Sequence, residues 1–263
     1  MTAVVADPAE SGISDRRMLD GANSSSWRGL VVQPLAILIV LAGFIVWLSV
    51  APLTATERTT LAPDALWAAT LQHLSLTFVA ALIVLVIAIP LGVLLTRRRL
   101  RRLAAPILAI ANIGQAAPAI GLIVLLAILV ASGYWASILA LVLYAALPVL
   151  RNTMIGVRGV DEQLVEAGRG MGMSAVAVLF RIELPLAVPV MLAGIRTALV
   201  LLVGTAALAA FVNGGGLGIL IVTGVNLYLT SVLVSGALLI ALLALAIDWL
   251  GRIVEQVARP KGL

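Results

Sequence analysis

Six stretches of this chain run for about the thickness of a bilayer with almost no charge, and that pattern leaves few folds open. A helix needs about 20 apolar residues to cross the hydrocarbon core. The stretches are Val31–Leu53, Leu74–Leu95, Leu103–Val130, Tyr134–Leu150, Thr197–Val212 and Val232–Leu250. The fourth and fifth are short as uncharged runs and are predicted to continue into their flanks. The fifth would reach back past Arg196, whose long side chain can extend to the interface. Leu217–Val225 is apolar but too short to cross, so it reads as an interfacial or re-entrant piece covered by protein. The expectation is an all-α integral membrane protein with six transmembrane helices.

Composition narrows the function. Apolar residues make up 62% of the 263 residues and charged residues 11%, and the mean hydropathy is +1.18, too apolar for a soluble fold to cover itself. There is no cysteine and only one histidine, His73, so neither a disulfide framework nor a thiolate or multi-histidine metal site is expected. No nucleophile–base pair is visible, and the reading is a transport subunit without catalytic residues, cofactor or metal. The net charge of +5 sits in arginine bursts between apolar runs, which fits orientation in a membrane and not nucleic-acid binding. The sole lysine is Lys261, whereas a P-loop needs a lysine directly after its glycines. Any ATP-driven work must therefore be powered by another chain.

Arginine placement sets the topology. Sixteen of the seventeen Arg and Lys residues fall in alternate gaps between the apolar stretches, and Arg58 is the exception. The positive-inside rule puts those gaps, and both termini, in the cytoplasm. Residues 1–29 are polar and predicted to be a disordered cytoplasmic tail. The first span reads as an uncleaved helix: Ser49 and Ala51 have signal-peptidase spacing, but Pro52 follows directly and the preceding region is long and acidic. No internal repeat is evident, and Asp248 is the sole acid inside a stretch, at its cytoplasmic end beside Arg252. Both features weigh against an ion-coupled secondary carrier.

The cytoplasmic gap Arg151–Arg196 is far longer than a turn requires. Asp161 and Glu162 open a helix where the dipole favours anions, and Arg169 lies in its last turn. Leu164, Gly168 and Met171 are predicted to share a narrow apolar face. Ser174 can cap a second helix through Phe180, with Pro185 and Pro189 limiting its continuation. The shape is a knob fit to dock into a cytoplasmic partner, or else a helical loop lying on the lipid surface.

Glu166-Ala167-Gly168, then Gly172, then Ile182-x-Leu184-Pro185 resembles the EAA loop of permease subunits of binding-protein-dependent ABC importers, with three residues between the two glycines and nine between Gly172 and Ile182. The resemblance extends over about 73–257. It includes His73-Leu74-x-Leu76-Thr77, Ile89-Pro90-Leu91-Gly92, Leu147-Pro148-x-x-Arg151-Asn152-Thr153, Ala193-Gly194-Ile195-Arg196-Thr197-Ala198 and Gly215-Gly216-Leu217-Gly218. Together these look most like the osmoprotectant branch, importers of glycine betaine, carnitine or choline. Gly168 replaces the usual second alanine, Asn213-Gly214 stands where Gly-Ala is typical, and Ile219 takes an often polar place.

The resemblance implies a type I (MetI-like) core of five helices plus one N-terminal helix, in a bacterial cytoplasmic (inner) membrane. It implies a layout of tail 1–29, N-terminal helix and outer loop 30–72, permease core 73–257 with coupling loop 151–196, and tail 258–263. The implied partners are cytoplasmic ABC ATPases, an extracytoplasmic solute-binding protein and a second permease subunit, identical or homologous, all within membrane lipid. Glu166 would then make a polar contact or cap a helix, and Gly172 would make a tight turn. Leu184 and Pro185 would fix where the loop rejoins the fifth span. Methionine or a sulfonate is the alternative cargo; a stand-alone carrier is the alternative class.

Other residues carry two readings each. His73 reads as an interfacial histidine with a satisfied hydrogen bond, or as a gating group. Trp67, Tyr134, Trp135 and Tyr228 lie at the outer boundary, where aromatics form a belt or can cage a quaternary ammonium. Pro90, Pro118 and Pro148 are predicted to kink their helices. Gly215, Gly216, Leu217 and Gly218 read as an outer gate element or a tight turn.

Overall fold

A computed structural model describes residues 30–130 and 132–258; the predicted disorder of residues 1–29 and most of the tail 258–263 lie outside it. Among the described residues five helices are each long and apolar enough to cross a membrane: 30–50, 63–96, 134–158, 175–212 and 230–257. The N-terminal helix, α1 (Leu30–Val50), is a unit by itself. Its 21 residues rise about 32 Å, enough for the hydrocarbon core, and Phe44 stacks on Trp47 with ring centroids 6.1 Å apart.

The second unit begins with a short helix, α2 (Ala55–Thr60), and then α3 (Pro63–Thr96). A bent pair follows, α4 (Ala104–Ala116) and α5 (Ala119–Leu129), and then α6 (Tyr134–Arg158). Next come two short helices of the connecting loop, α7 (Glu162–Gly170) and α8 (Ala175–Val178). The remaining helices are α9 (Leu184–Ala206), α10 (Gly218–Asn226) and α11 (Thr230–Val257). The core is where α3, α6 and α9 meet. Each contributes a stripe at i, i+4 and i+8: Leu76, Ala80 and Val84; Leu141, Ala145 and Val149; Ala198, Leu202 and Ala206. Every stripe contains alanine, which lets helix axes approach closely where lipid supplies no hydrophobic drive for association. Helix α11 packs on α9 and α10, and α4 and α5 pack on α6.

Three expectations about the spans are corrected. Leu103–Val130 is not one straight crossing: α4 and α5 meet at a 100° bend. Pro118 forces Ala117 out of the helical region, to ψ 143°, and ends the first piece. The predicted kink is thus a break, and six spans are reached when the bent pair is taken as one. Second, the helices overrun their apolar stretches. Helix α3 has 34 residues, about 51 Å of rise, because hydropathy marks the hydrocarbon and not the helix ends. Third, the second loop helix does not stop near Phe180. After α8 the chain passes through a π turn, Leu179–Glu183, straight into α9. Pro185 has no N–H for an α-type bond, and a wider turn re-pairs the carbonyls before it.

Candidate functional site

The pieces of sequence quoted as motifs turn out to be the points where helices touch. A Cβ on Gly194 would lie 2.5 Å from Asn152 Cβ and 2.8 Å from the Pro148 carbonyl oxygen, and one on Gly92 would lie 2.8 Å from Thr153. Two of the glycine-containing motifs therefore both press on the Leu147–Thr153 turn of α6, where Asn152 Nδ2 donates to the Pro148 carbonyl at 2.9 Å.

The loop between α6 and α9 carries Glu166, Ala167, Gly168, Gly172, Ile182, Leu184 and Pro185. Asp161 caps α7 by accepting from the Gln163 N–H at 2.9 Å. Capping thus belongs to Asp161, while Glu166 is exposed in mid-helix beside exposed Ala167. Helix α7 ends in a Schellman motif. The Met173 N–H donates to the Gly168 carbonyl at 3.2 Å and the Gly172 N–H to the Arg169 carbonyl at 2.9 Å. Gly172, at φ +82°, takes the left-handed position that disfavours a Cβ. Ser174 caps α8, accepting from the Ala177 N–H at 3.2 Å.

The predicted apolar face of α7 is split. Gly168 points inward and is buried, with Ile182 Cδ1 only 2.5 Å from a would-be Cβ and the buried Val178 side chain at 3.6 Å. Leu164 and Met171 are exposed, Met171 at 76%, and so are Val176 and Phe180. Met171 lies past the last turn, where helical periodicity no longer sets direction. The loop is thus a compact knob whose inner surface seats on the π turn and whose outer surface mixes exposed apolar side chains with charged ones such as Glu162, Glu166 and Arg169. Leu184 and Pro185 begin α9.

At the other end of the bundle, Gly215 and Gly216 have φ of +83° and +86°. The Gly216 N–H donates to Gln72 Oε1 at 3.2 Å. Leu217 and Gly218 are buried, and the run is pressed against Gln72 and His73 of α3. His73 is fully buried within the protein, its Nε2 lies 2.9 Å from the Val203 carbonyl oxygen, and its Nδ1 faces Gly216. Trp67, Trp135 and Tyr228 are exposed, while Tyr134 Oη bonds Ser75 Oγ at 2.7 Å and its ring meets Trp135 edge-on.

Of the further polar contacts, Arg97–Glu183 had no sequence signal, whereas Thr54-x-x-Glu57 has capping-box spacing and Asp248 lies four residues before Arg252. Glu57 and Thr54 form a capping box on α2. The Thr54 N–H, the Thr54 hydroxyl and the Ser231 hydroxyl hold the Glu57 carboxyl below its ordinary pKa. Arg97 makes a two-pronged ion pair with Glu183. Asp248 meets Arg252 at 2.9 Å and Arg196 at 3.8 Å, and Arg196 reaches Glu255 at 3.1 Å. Beside this network a cleft of about 490 Å³ is lined by Arg196, Thr197, Val200, Leu201, Gly204, Thr205 and Asp248. Among the described residues no group of three or more acidic or histidine side chains could hold a metal ion.

The chain matches the family described as binding-protein-dependent transport system inner membrane component over residues 88–260 and belongs to that family. It is 40% identical over 194 residues to the choline transport system permease protein OpuBB of Bacillus subtilis, covering 74% of this chain and 88% of that one. It is 39% identical to the osmoprotectant import permease protein OsmW of Salmonella typhimurium, over 74% of this chain and 92% of that one. Among solved structures it resembles an inward-facing MetNI methionine ABC transporter, with TM-score 0.65 and 27% identity, covering 74% of this chain and 96% of that one. The chain is thus a multi-pass inner-membrane permease subunit with the MetI-type fold.

Proposed function

We propose that this permease imports a small osmoprotectant such as glycine betaine, carnitine or choline, driven by ATP hydrolysed on separate cytoplasmic ABC ATPases. An extracytoplasmic binding protein delivers the solute, and a second permease subunit completes the pathway. The observation that carries this reading is the loop knob: its inner side seats on the π turn through Gly168 and Ile182, while Glu166, Met171, Val176 and Phe180 stand exposed for a partner. Glu166 supplies a polar contact there, and Gly172 sets the angle of the knob. Both termini lie in the cytoplasm, and the layout is tail 1–29, N-terminal transmembrane helix and outer loop 30–72, core 73–257 and tail 258–263. The run Gly215, Gly216, Leu217 and Gly218, buried from Gly216 on, serves as an outer closure packed on α3.

The solute class rests on the relatives, whose names specify choline and osmoprotectants. The lining of the α9–α11 cleft includes no aromatic ring. In this reading, selection of a quaternary ammonium by a cation–π cage belongs to the separate binding protein. Uptake of labelled glycine betaine by the reconstituted complex, with choline, carnitine and methionine as competitors, tests the reading. Competition by choline or carnitine supports it, and competition by methionine alone transfers the chain to the methionine class.

A further inference from the structure

We infer that Arg97 and Glu183 form a positioning pair that carries the movement of the coupling loop into α3. The inference rests on the coupling-loop reading above and extends it to residues outside the loop's recognised pattern. Glu183 occupies the open position of Ile182-x-Leu184-Pro185. Arg97 belongs to the arginine burst that otherwise reads as a topology signal.

The geometry sets this pair apart. Glu183 closes the π turn and its side chain is 7% exposed, yet it is charged and held by both ends of the Arg97 guanidinium, one bond measuring 3.1 Å. A buried carboxylate costs heavily unless it is paired and hydrogen-bonded, and a two-pronged arginine fixes orientation as well as charge. Arg97 is the C-terminal cap of α3, and Arg158 Nη2 donates to the Leu95 carbonyl of the same helix end at 3.2 Å. The other four arginines of the burst, Arg98, Arg99, Arg101 and Arg102, are exposed and show no ion pair among the described residues. One member of the burst has therefore been recruited to a mechanical contact.

A continuous route follows. Helix α7 packs against α8 and the π turn, with Gly168 on Ile182. The next residue, Glu183, is clamped to the end of α3. Helix α3 runs the length of the bundle to Gln72, which holds Gly216 at the far end. A push on α7 is thus delivered to a rod that touches the outer Gly215–Gly218 run. The π turn is the compliant element, and the ion pair stops its displacement from dissipating there.

The test uses the whole importer complex in proteoliposomes, with its ATPases and solute-loaded binding protein, and reads solute moved per ATP hydrolysed. Arg97→Glu and Glu183→Arg are each expected to lower that ratio at least tenfold while the ATPases still co-purify. The double exchange Arg97→Glu/Glu183→Arg should recover at least a third of it. The apolar double variant Arg97→Met/Glu183→Leu removes the buried charge and should keep the thermal stability of the complex, yet stay uncoupled. If the apolar pair transports with the normal ratio, the ion pair is merely structural and the inference is wrong. It is equally wrong if Glu183→Gln, which keeps shape, leaves the ratio unchanged, or if the exchange assembles but recovers nothing. Arg98→Gln serves as the neutral control. ATPase co-purification with Glu166→Ala separately tests the loop reading: retained binding there sinks the loop, whereas normal coupling in the pair variants sinks only this inference.

Discussion

Ile182 lies against Gly168, its Cδ1 2.5 Å from where a Cβ on residue 168 would sit, so the first and last parts of the loop motif are in direct contact across the knob. The obstacle is the far end of a flexible side chain. Gly168→Ala should therefore be tolerated after a rotamer change in Ile182, with a Tm shift within a few degrees. Gly168→Leu cannot be accommodated that way and should release α7, read as loss of ATPase co-purification. Ile182→Ala should restore binding to Gly168→Leu by clearing the space.

Gly172 poses the opposite problem: nothing lies within 4 Å of its would-be Cβ, but its φ is +82°. Substitutions there should follow backbone strain and not size. Gly172→Asn should be mild, whereas Gly172→Val should cost more than about 1 kcal/mol of local stability. Hydrogen exchange across residues 162–174 reads the difference, and equal effects of Asn and Val would contradict the Schellman assignment.

Gly194→Val meets backbone as well as side chain, since the Pro148 carbonyl oxygen is 2.8 Å from the new Cβ. Helices α6 and α9 must separate, at about 1–3 kcal/mol for overpacking. A lowered Tm of the purified permease, with no rescue by Asn152→Ala because the carbonyl remains, is the expected result.

Glu57 gives α2 a pH dependence. Its pKa is lowered in the folded state, chiefly by the Thr54 N–H and then by the Thr54 and Ser231 hydroxyls. A depressed carboxylate contributes stability that is complete above its ordinary 4.5 and lost as pH falls through the lower folded value. Protection of residues 54–61 from hydrogen exchange should hold from pH 7 to 5 and fall below 4.5, and Glu57→Gln should abolish that dependence.

Much of this fold was readable from the chain because the length of apolar run that a bilayer demands is a linear property of sequence. The six apolar stretches each correspond to helix, and Asp248 does pair with Arg252 four residues on. The ends were not readable: α3 begins at Pro63, not Leu74, because Asp64, Gln72 and His73 are compatible with helix but lower the hydropathy. The 100° break depends on how Pro118 is packed, and the π turn depends on Pro185 meeting a helix that continues. Arg97–Glu183 spans 86 residues of sequence, and arginines in a burst look alike until one finds a buried acid. Gly168 and Met171 share a face only if one helical period runs past Gly170, and the Schellman turn breaks that period.

The account depends on the 151–196 loop facing the cytoplasm and being gripped there by a separate ATPase. The chain has no cysteine, so a single Met171→Cys substitution provides a unique thiol at the exposed tip. The decisive measurement is its reaction with a membrane-impermeant maleimide in oriented vesicles, with and without ATPase subunits. Reaction only from the cytoplasmic face, and protection when the ATPase is bound, is the predicted result. Reaction from the outer face, or unchanged cytoplasmic reactivity with the ATPase bound, would contradict it.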